Sequence, residues 1–312
     1  MAAKWTAADI PDQSGRIAVV TGANSGLGLA TARELARAGA EVIVACRNTE
    51  SGASAVEEIR AAAPQAKAEV AELDLADLAS VRDFAARFGS RGEGLDLLVN
   101  NAGVMAPPYR ETVDGFESQI GTNHLGHFAL TGLLLDALLA RPEPRVVTVS
   151  SGAHRTAQVN FDDLNGEHGY RRWRAYGQSK LANLLFCFEL DRRAREAGVA
   201  LRSVAAHPGW AATNLQSAGP SALHERLVLA IGNRLIAQSA EMGALPSLYA
   251  ATMPDLPGGS YVGPDGMMEG RGHPTVVKAR DTAYDEDVAR RLWETSEELT
   301  GVRFSFGARA AA

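Results

Sequence analysis

The feature that most limits the possible folds of this chain is a regular alternation, from Arg16 onward, between short runs rich in β-branched residues and longer segments of helical periodicity. Such alternation predicts right-handed crossovers and a parallel sheet that is covered by helices on both faces. The apolar runs lack the two-residue alternation of half-exposed strands, which indicates burial on both sides. The predicted strands span residues 17–21, 41–45, 67–73, 95–99, 145–149, 199–206 and 260–262. We therefore expect a doubly wound α/β fold with a parallel sheet of about seven strands.

Helical periodicity separates these strands and indicates which helix faces contact the core. The predicted helices span residues 26–38, 51–63, 78–88, 115–140 and 173–195. In the last of them, apolar side chains recur at i, i+3, i+4 and i+7 between Leu181 and Phe188, which is typical of a helix packed on a core. No linker or change of composition divides the chain. Residues 1–312 are therefore predicted to form a single domain, with residues 1–14 as an N-terminal extension.

Composition and charge exclude several other classes of protein. The chain is 46% hydrophobic and 22% charged, as ordinary globular proteins are. No segment has the ~18 consecutive apolar residues of a membrane span, and Met1–Gly15 lacks the apolar core of a signal peptide. A net charge of −6 argues against a protein that binds nucleic-acid phosphates. Two cysteines are too few for a disulfide framework, so we expect a cytoplasmic protein without a membrane anchor.

A glycine-rich loop, Thr21–Gly28, lies between the first predicted strand and the first predicted helix. Glycine permits the sharp turn there and lets a pyrophosphate approach the backbone, while the helix N-terminus offers free N–H groups. A tight turn without a ligand is the alternative, but the place of the loop on the first strand–helix turn favours a nucleotide. The loop residues predicted to bind it are Gly22, Asn24, Ser25, Gly26, Leu27 and Gly28.

The spacing of this loop is G-x-x-x-G-x-G, and further motifs follow it in a fixed order. They are Asp74, Asn100–Gly103, Asn123, Ser150–Ser151, Tyr176-x-x-x-Lys180 and Pro208–Gly209. With these motifs the chain resembles the short-chain dehydrogenase/reductase family over nearly its whole length. Residues 45–47, 123–128, 150–154 and 292–301 resemble the retinol-dehydrogenase-like branch of that family most closely. The resemblance implies a Rossmann-type dinucleotide-binding fold and an oxidoreductase.

The residues after the second predicted strand indicate which nicotinamide cofactor is used. An acidic residue there would bind the ribose 2′-hydroxyl of NAD, but Cys46 occupies the position and Arg47 follows it. A guanidinium can hold a 2′-phosphate through charge-assisted hydrogen bonds, which favours NADP(H); a surface arginine without this role is the alternative. The resemblance implies further cofactor contacts from Asp74, Leu75, Asn101, Ala102, Gly103, Pro208, Gly209 and Thr213.

Tyr176 and Lys180 are predicted to project from one helix face because they are four residues apart. A free tyrosine has a pKa of ~10, and a nearby ammonium group together with the oxidised nicotinamide would lower it toward neutrality. The resemblance implies that Tyr176 is the general acid/base and also contacts the cofactor, and that Lys180 binds the nicotinamide ribose. It implies as well that Ser151 stabilises the substrate oxygen, with Ser150 as its rival. It also implies that Asn123 distorts its helix to hold a water that passes protons to Lys180.

Other signals concern the substrate and the remaining histidines. Residues 210–240 occupy the position of the family's substrate loop, and their apolar side chains suit a hydrophobic substrate or, alternatively, packing on the core or a subunit interface. His154 is a candidate for the substrate mouth, whereas His124 and His127 are interpreted as packing residues. No Cys or His group has metal-ligand spacing, so no metal is expected.

Together these patterns predict an NADP(H)-dependent oxidoreductase that moves a hydride between the nicotinamide and a carbonyl or secondary-alcohol carbon, with reduction as the expected direction. A non-catalytic NADP-binding regulatory protein and a reductase of C=C bonds in enones are the alternatives. The expected partners are a small carbonyl or alcohol substrate and further copies of this chain in a homodimer or homotetramer. The last expectation comes from the resemblance, since helices around Asn123 and Tyr176 form subunit contacts in relatives.

Overall fold

The computed structural model describes residues 4–210 and 238–307, and these contain one sheet of eight strands. The strands are β1 (Ile17–Thr21), β2 (Glu41–Cys46), β3 (Lys67–Glu72), β4 (Leu97–Asn100), β5 (Arg145–Val149), β6 (Arg202–Ala206), β7 (Tyr261–Pro264) and β8 (Pro274–Val276). Their spatial order is β3-β2-β1-β4-β5-β6-β7-β8, with parallel neighbours from β3 to β7. The predicted doubly wound sheet is confirmed. Because β2 and β4 lie on opposite sides of β1, a crevice opens at the carboxyl ends of β1 and β4.

Helices cover both faces of this sheet. They are α1 (Gly26–Arg37), α2 (Thr49–Ala62), α3 (Leu78–Gly89), α4 (Ser118–Ile120), α5 (Gly126–Leu133), α6 (Leu135–Leu139), α7 (Arg172–Glu196), α8 (Ala240–Thr252) and α9 (Glu286–Thr300). A π-helix, Gly121–Leu125, joins α4 to α5. Short 3₁₀ turns lie at Ala7–Asp9, Gly152–Thr156, Phe161–Asp163, Met267–Glu269 and Asp281–Tyr284. Among the described residues, no helix has both the length and the apolar composition needed to cross a membrane.

Strand β1 shows why the apolar runs do not alternate. Successive side chains of a strand point to opposite faces of the sheet. Ile17 and Val19 pack into the core beneath α3, α5 and α7, whereas Ala18 and Val20 pack into the core beneath α1, α2 and α8. All four are at most 7% exposed, so both faces of β1 must be apolar.

The structure departs from the predicted elements in four places, one of which is helix α9 (Glu286–Thr300), where no helix was predicted. Segment 115–140, predicted as one helix, is interrupted by the π-helix, in which the Gly126 N–H bonds to the carbonyl of Gly121. It is interrupted again at Leu134, between α5 and α6. Strand β8 runs antiparallel to β7 and was not predicted, because three residues form too short a pattern. Helix α8 was also not predicted; it contains Pro246 and is contacted by Trp5 of the N-terminal extension through Tyr249.

The C-terminal helix α9 covers α5 and α7 on one face of the sheet. The rings of Phe128, Phe186, Trp293 and Phe304 are in mutual contact, with centroids 4.4 to 6.2 Å apart. Contacts between aromatic rings of this kind contribute about 0.5–1.5 kcal/mol each beyond the burial of their area. The apolar face that α5 and α7 share is therefore occupied by the chain's own C-terminal segment, although these helices were expected to carry subunit contacts.

Candidate active site

A cavity of about 680 Å³ lies at the carboxyl ends of the central strands. Its lining includes the predicted site residues Gly22, Asn24, Ser25, Gly26, Leu27, Gly28, Arg47, Asp74, Leu75, Asn101, Ala102, Gly103, Ser151, Tyr176, Lys180, Pro208 and Gly209. Asn123 is not part of that lining. Thr213 and most of the predicted substrate loop at 210–240 lie outside the described residues. We call the part of the cavity formed by the glycine loop and the ends of β2 and β3 the outer end, and the part around Ser151, Tyr176 and Lys180 the inner end.

The glycine loop is a backbone cradle with no space for side chains at its closest points. Gly22 has a φ of +64°, in the left-handed region that favours glycine. A Cβ atom on Gly28 would lie 2.4 Å from the carbonyl oxygen of Gly22 and 2.6 Å from Nδ2 of Asn101. Helix α1 begins at Gly26, so the N–H groups of its first turn lack intrahelical partners where they border the cavity. This cradle fits the pyrophosphate of a dinucleotide.

Beyond the glycine loop, the outer end carries an exposed cation, Arg47, and has no carboxylate at the position of Cys46. The Arg47 side chain is 76% exposed, and its Nη1 lies 3.9 Å from Oδ2 of Asp74. Cys46 stands at the position expected for an acidic residue and directs its thiol to the carbonyl oxygen of Asn48, 3.2 Å away. The outer end can therefore accept a negative charge beside Arg47.

Residues after β4 connect the outer end to the inner end. The N–H groups of Asn101 and Ala102 each donate to Oγ1 of Thr21 at 2.9 Å, and Nδ2 of Asn101 donates to the Thr21 carbonyl oxygen at 2.7 Å. The next residue, Gly103, borders Oδ1 of Asn123, from which a Cβ atom would be only 2.9 Å away. The backbone between β4 and the π-helix is thus held in a fixed position on the wall of the cavity.

Asn123 lies in the π-helix, behind the wall of the cavity, and is fully buried. Its Oδ1 accepts from the N–H of Val104 at 2.7 Å, and its Nδ2 donates to the Val104 carbonyl oxygen at 3.0 Å and to Oγ of Ser179 at 2.9 Å. The local distortion expected around Asn123 is present. Its side chain holds the Val104 backbone, while the expected role in a proton relay stays a prediction.

The two serines after β5 have different surroundings. Ser150 is 2% exposed and donates its hydroxyl to the carbonyl oxygen of Lys180 at 2.7 Å, which ties β5 to α7. Ser151 accepts from the N–H of Ala153 at 3.3 Å and interacts with the Tyr176 side chain. Because the Ser150 proton is used within the fold, Ser151 is the better placed of the two to bind a substrate oxygen.

Tyr176 and Lys180 lie side by side on α7, and both are buried. The Lys180 Nζ is 5.8 Å from the centre of the Tyr176 ring and donates to the carbonyl oxygen of Val149 at 3.1 Å. Burial raises the pKa of Tyr176 to about 12, although the Ser151 side chain acts to lower it. Burial also lowers the pKa of Lys180 to about 8. From the sequence we expected a lowered tyrosine pKa; in the chain alone, burial raises the pKa of Tyr176 instead.

Beyond Tyr176 the inner end of the cavity extends into a region of which the sequence indicated only Trp210, the first residue of the predicted substrate loop. Its lining there includes Met105, Arg155, Trp173, His207, Trp210, Met268 and Glu269. Glu269 bonds to Nε2 of His207 at 3.0 Å and to Arg155 at 2.7 Å. These bonds lower the pKa of Glu269 to about 2, and the bond to His207 has the largest effect. Only the position of His207, directly before the Pro208–Gly209 motif, could have indicated this group.

His154, a candidate for the substrate mouth, is not a lining residue. It is fully buried, its Nδ1 bonds to the carbonyl oxygen of Ser151 at 2.7 Å, and its Nε2 accepts from the N–H of Arg280 at 3.3 Å. That prediction was wrong because the 3₁₀ turn at Gly152–Thr156 directs the side chain inward. Within residues 4–210 and 238–307 there is no group of three or more His, Cys, Asp or Glu side chains that could hold a metal ion.

Comparison with known sequences places this geometry among related proteins. A family model described as short chain dehydrogenase matches residues 16–222. Retinol dehydrogenase 13 of Homo sapiens is 42% identical to this chain in an alignment of 293 residues that covers 92% of this chain and 85% of the human protein. Both matches extend over more than half of the chain.

Solved structures give the same picture. An uncharacterized protein from Mycobacterium paratuberculosis matches with a TM-score of 0.81 and 49% identity, over 97% of this chain and 100% of that chain. A protein from Beutenbergia cavernae, described as an NAD(P)-dependent gluconate 5-dehydrogenase and solved with bound NADP at low occupancy, matches with a TM-score of 0.62 and 28% identity, over 77% of this chain and 91% of that chain.

Proposed function

This chain belongs to the short-chain dehydrogenase/reductase family, in its retinol-dehydrogenase-like branch, and from that premise we propose that it is an NADP(H)-dependent enzyme that reduces a hydrophobic carbonyl compound to an alcohol. Membership of the family makes it an alcohol/carbonyl oxidoreductase; the cofactor, the direction and the substrate class are the proposal. The observation that carries it is the convergence of Ser151, Tyr176 and Lys180 beside a glycine cradle in one cavity.

The residues of the outer end support NADP(H) as the cofactor. The pyrophosphate would bind the N–H groups at the start of α1, next to Gly28, where a Cβ atom would occupy the approach. Arg47 would bind the 2′-phosphate, because its guanidinium is exposed beside the cavity and Cys46 replaces the carboxylate that would repel the phosphate. A related structure that contains NADP is consistent with this choice.

In the proposed reductive direction, the residues of the inner end supply the proton and bind the substrate oxygen. When bound, the reduced nicotinamide supplies a hydride to the carbonyl carbon. Ser151 donates a hydrogen bond to the substrate oxygen, and Tyr176 transfers its hydroxyl proton to that oxygen, so the carbonyl gains one hydride and one proton and becomes an alcohol. With a pKa raised to about 12, Tyr176 carries this proton at neutral pH. Lys180 stabilises the phenolate that remains and keeps donors for the nicotinamide ribose.

The apolar walls of the inner end favour a hydrophobic substrate. Met105, Trp173, Trp210 and Met268 line the cavity there. The charged side chains in the same region, Arg155 and Glu269, bond to each other at 2.7 Å and need no charged group from the substrate. The name of the human relative, a retinol dehydrogenase, points to the same class of apolar compound.

Two further expectations are proposals of the same kind. A homodimer or homotetramer stays a prediction, and we now expect any subunit contact to lie away from the face of α5 and α7 that α9 covers. A cytoplasmic location also stays a prediction. Sedimentation velocity on the full chain tests the first of these, and fractionation of the native host tests the second.

The proposed function is tested by mixing the purified chain with NADPH or NADH and a panel of apolar aldehydes, ketones and enones. We expect NADPH to be consumed with aldehydes or ketones and the product to be the corresponding alcohol. Saturation of an enone C=C bond would support the rival reductase instead. NADPH binding without turnover of any compound in the panel would support the non-catalytic regulatory protein.

A further inference from the structure

His127, which the sequence pattern assigns to core packing, makes two polar contacts that the proposed reaction does not explain. It is 1% exposed on the first turn of α5. Its Nε2 lies 2.9 Å from Oγ1 of Thr21, the residue that opens the glycine loop. Its Nδ1 lies 3.0 Å from the backbone oxygen of Asn123, within the π-helix. One imidazole ring thus connects the two ends of the cavity.

The hydrogen bonds around Thr21 determine which nitrogen of His127 carries the proton. A threonine hydroxyl has one donor and two acceptor sites. Both acceptor sites of Thr21 Oγ1 are used by the N–H groups of Asn101 and Ala102, each at 2.9 Å. Its proton must therefore go to an acceptor, and His127 Nε2 at 2.9 Å is closer than the carbonyl oxygen of Val99 at 3.3 Å. Nε2 accepts, and the ring proton of His127 is on Nδ1.

This tautomer makes Nδ1 the donor to the carbonyl oxygen of Asn123. A charged imidazole would direct a second N–H at a hydroxyl that has no acceptor site left. Burial lowers the pKa of His127 to about 4, and the charge of Lys180 acts in the same direction, whereas the bond to Asn123 opposes it. The ring therefore stays neutral at physiological pH, with one donor and one acceptor in fixed places.

We propose that His127 is a positioning residue that couples the dinucleotide loop to the proton-transfer site. Through Nε2 it holds Thr21, whose hydroxyl fixes the backbone of Asn101 and Ala102 beside the cofactor site. Through Nδ1 it holds the backbone carbonyl of Asn123, whose own side chain bonds to Val104 and Ser179. This inference rests on the proposed function, because it assigns a role within that reaction.

Two substitutions separate the two bonds. In His127→Asn the side-chain amide nitrogen takes the place of Nδ1 and can still donate to Asn123, but it cannot reach Thr21. In His127→Gln the amide oxygen takes the place of Nε2 and can accept from Thr21, but the bond to Asn123 is lost. Since one hydrogen bond contributes about 1 kcal/mol, we expect His127→Asn to raise the Kd for NADPH about fivefold to tenfold with kcat nearly unchanged, and His127→Gln to lower kcat by a similar factor with the Kd nearly unchanged.

Fluorescence titration with NADPH and steady-state kinetics measure the two parameters, and thermal melting reports folding. Equal effects of both variants on Kd and kcat, or effects on the melting temperature alone, would mean that His127 only fills the core. The titrations need no turnover, so they test the effect of the bond between His127 and Thr21 even if the wild type reduces no carbonyl compound. A wild type that reduces no carbonyl compound would overturn the proposed function instead.

If neither variant folds, the proposal can be tested on the wild-type protein through the tautomers of His124 and His127. His124 is also buried, but its Nε2 lies 2.9 Å from Oγ of Ser296, whose own proton goes to the carbonyl oxygen of Leu292 at 2.7 Å. His124 therefore carries its proton on Nε2, opposite to His127. Imidazole ¹⁵N spectra between pH 5 and 8 should show these two rings uncharged and in opposite tautomers. Protons on Nε2 of both rings would overturn the proposal.

Discussion

The outer and inner ends of the cavity are expected to bind different parts of one cofactor, and they differ in how far their polar side chains are exposed to water. At the outer end, the Arg47 and Asp74 side chains are 76% and 31% exposed, and the nearest atoms of the pair are 3.9 Å apart. At the inner end, Tyr176 and Lys180 are 6% and 3% exposed, and Asn123 is fully buried. The outer end keeps its charge in water, whereas the inner end has removed its polar groups from water.

This difference predicts different kinds of sensitivity. Solvent and salt weaken an exposed ion pair to about 0–1 kcal/mol, so the outer end can select a cofactor by charge with little consequence for folding. Burial, in contrast, is the largest cause of the pKa shifts of Tyr176 and Lys180. Substitutions at the inner end should therefore lower the rate of the chemical step by a large factor. Substitutions at the outer end should change the affinity for the cofactor, and by a smaller factor.

The largest effect should come from Tyr176→Phe at the inner end. Removal of the hydroxyl removes the proton donor, and general acid catalysis of this kind accelerates reactions about 10²–10⁴-fold, so kcat should fall by that factor. The Kd for NADPH should stay within about twofold, because the phenyl ring keeps its packing on Trp173. Steady-state kinetics and fluorescence titration measure the two. Retention of wild-type kcat would remove Tyr176 from the mechanism.

The next largest effect should come from Arg47→Ala at the outer end. A charge-assisted hydrogen bond contributes about 1.5–3 kcal/mol, so the Kd for NADPH should rise about 10- to 100-fold, while that for NADH changes less than about threefold. Arg47→Lys, which keeps the charge but loses the paired geometry, is the matched control and should be intermediate. An equal loss of affinity for both cofactors would show that Arg47 does not bind the 2′-phosphate.

The features of the outer end were largely predictable because they are local in sequence. The glycine spacing of Thr21–Gly28 and the replacement of an acid by Cys46 and Arg47 depend on residues that are neighbours in the chain. Tyr176 and Lys180 were found at the inner end for the same reason, since a four-residue spacing on a helix places them together. The alternation of strands and helices likewise gave the parallel sheet.

The features that the sequence did not reveal depend on contacts between distant segments. The apolar pattern of segment 115–140 reads as one helix; the family resemblance predicted a distortion at Asn123, but not the bonds of the Asn123 side chain to Val104 and Ser179. The direction of the Tyr176 pKa shift depends on how completely the cavity wall excludes water. The position of His154 was predicted wrongly because this residue lies on a short 3₁₀ turn that directs its side chain inward. No periodicity in the sequence indicates the orientation of such a turn.

A smaller effect at the inner end should appear on raising the pH. Lys180, with a pKa lowered to about 8, is charged below that pH and loses its proton above it, so carbonyl reduction should be efficient at pH 7 and about tenfold slower at pH 9 if the charge is required. Lys180→Arg keeps the charge and should lack this decline in whatever activity remains. The affinity for 2′,5′-ADP, which tests the outer end alone, should stay level over the same range because arginine remains charged.

The smallest effect, and the sharpest test of the comparison, should come from Asp74→Asn. The carboxylate lies 3.9 Å from Arg47 and competes with a 2′-phosphate for the guanidinium, so its neutralisation should favour NADPH over NADH by about twofold to fivefold, the size of an exposed ion pair. Loss of any contact to adenine would weaken both cofactors alike and cancel in that ratio. The same substitution in an Arg47→Ala background should leave the ratio unchanged. A shift that persists without Arg47 would mean that Asp74 repels the phosphate directly, and the exposed pair would then not be the element that sets cofactor preference.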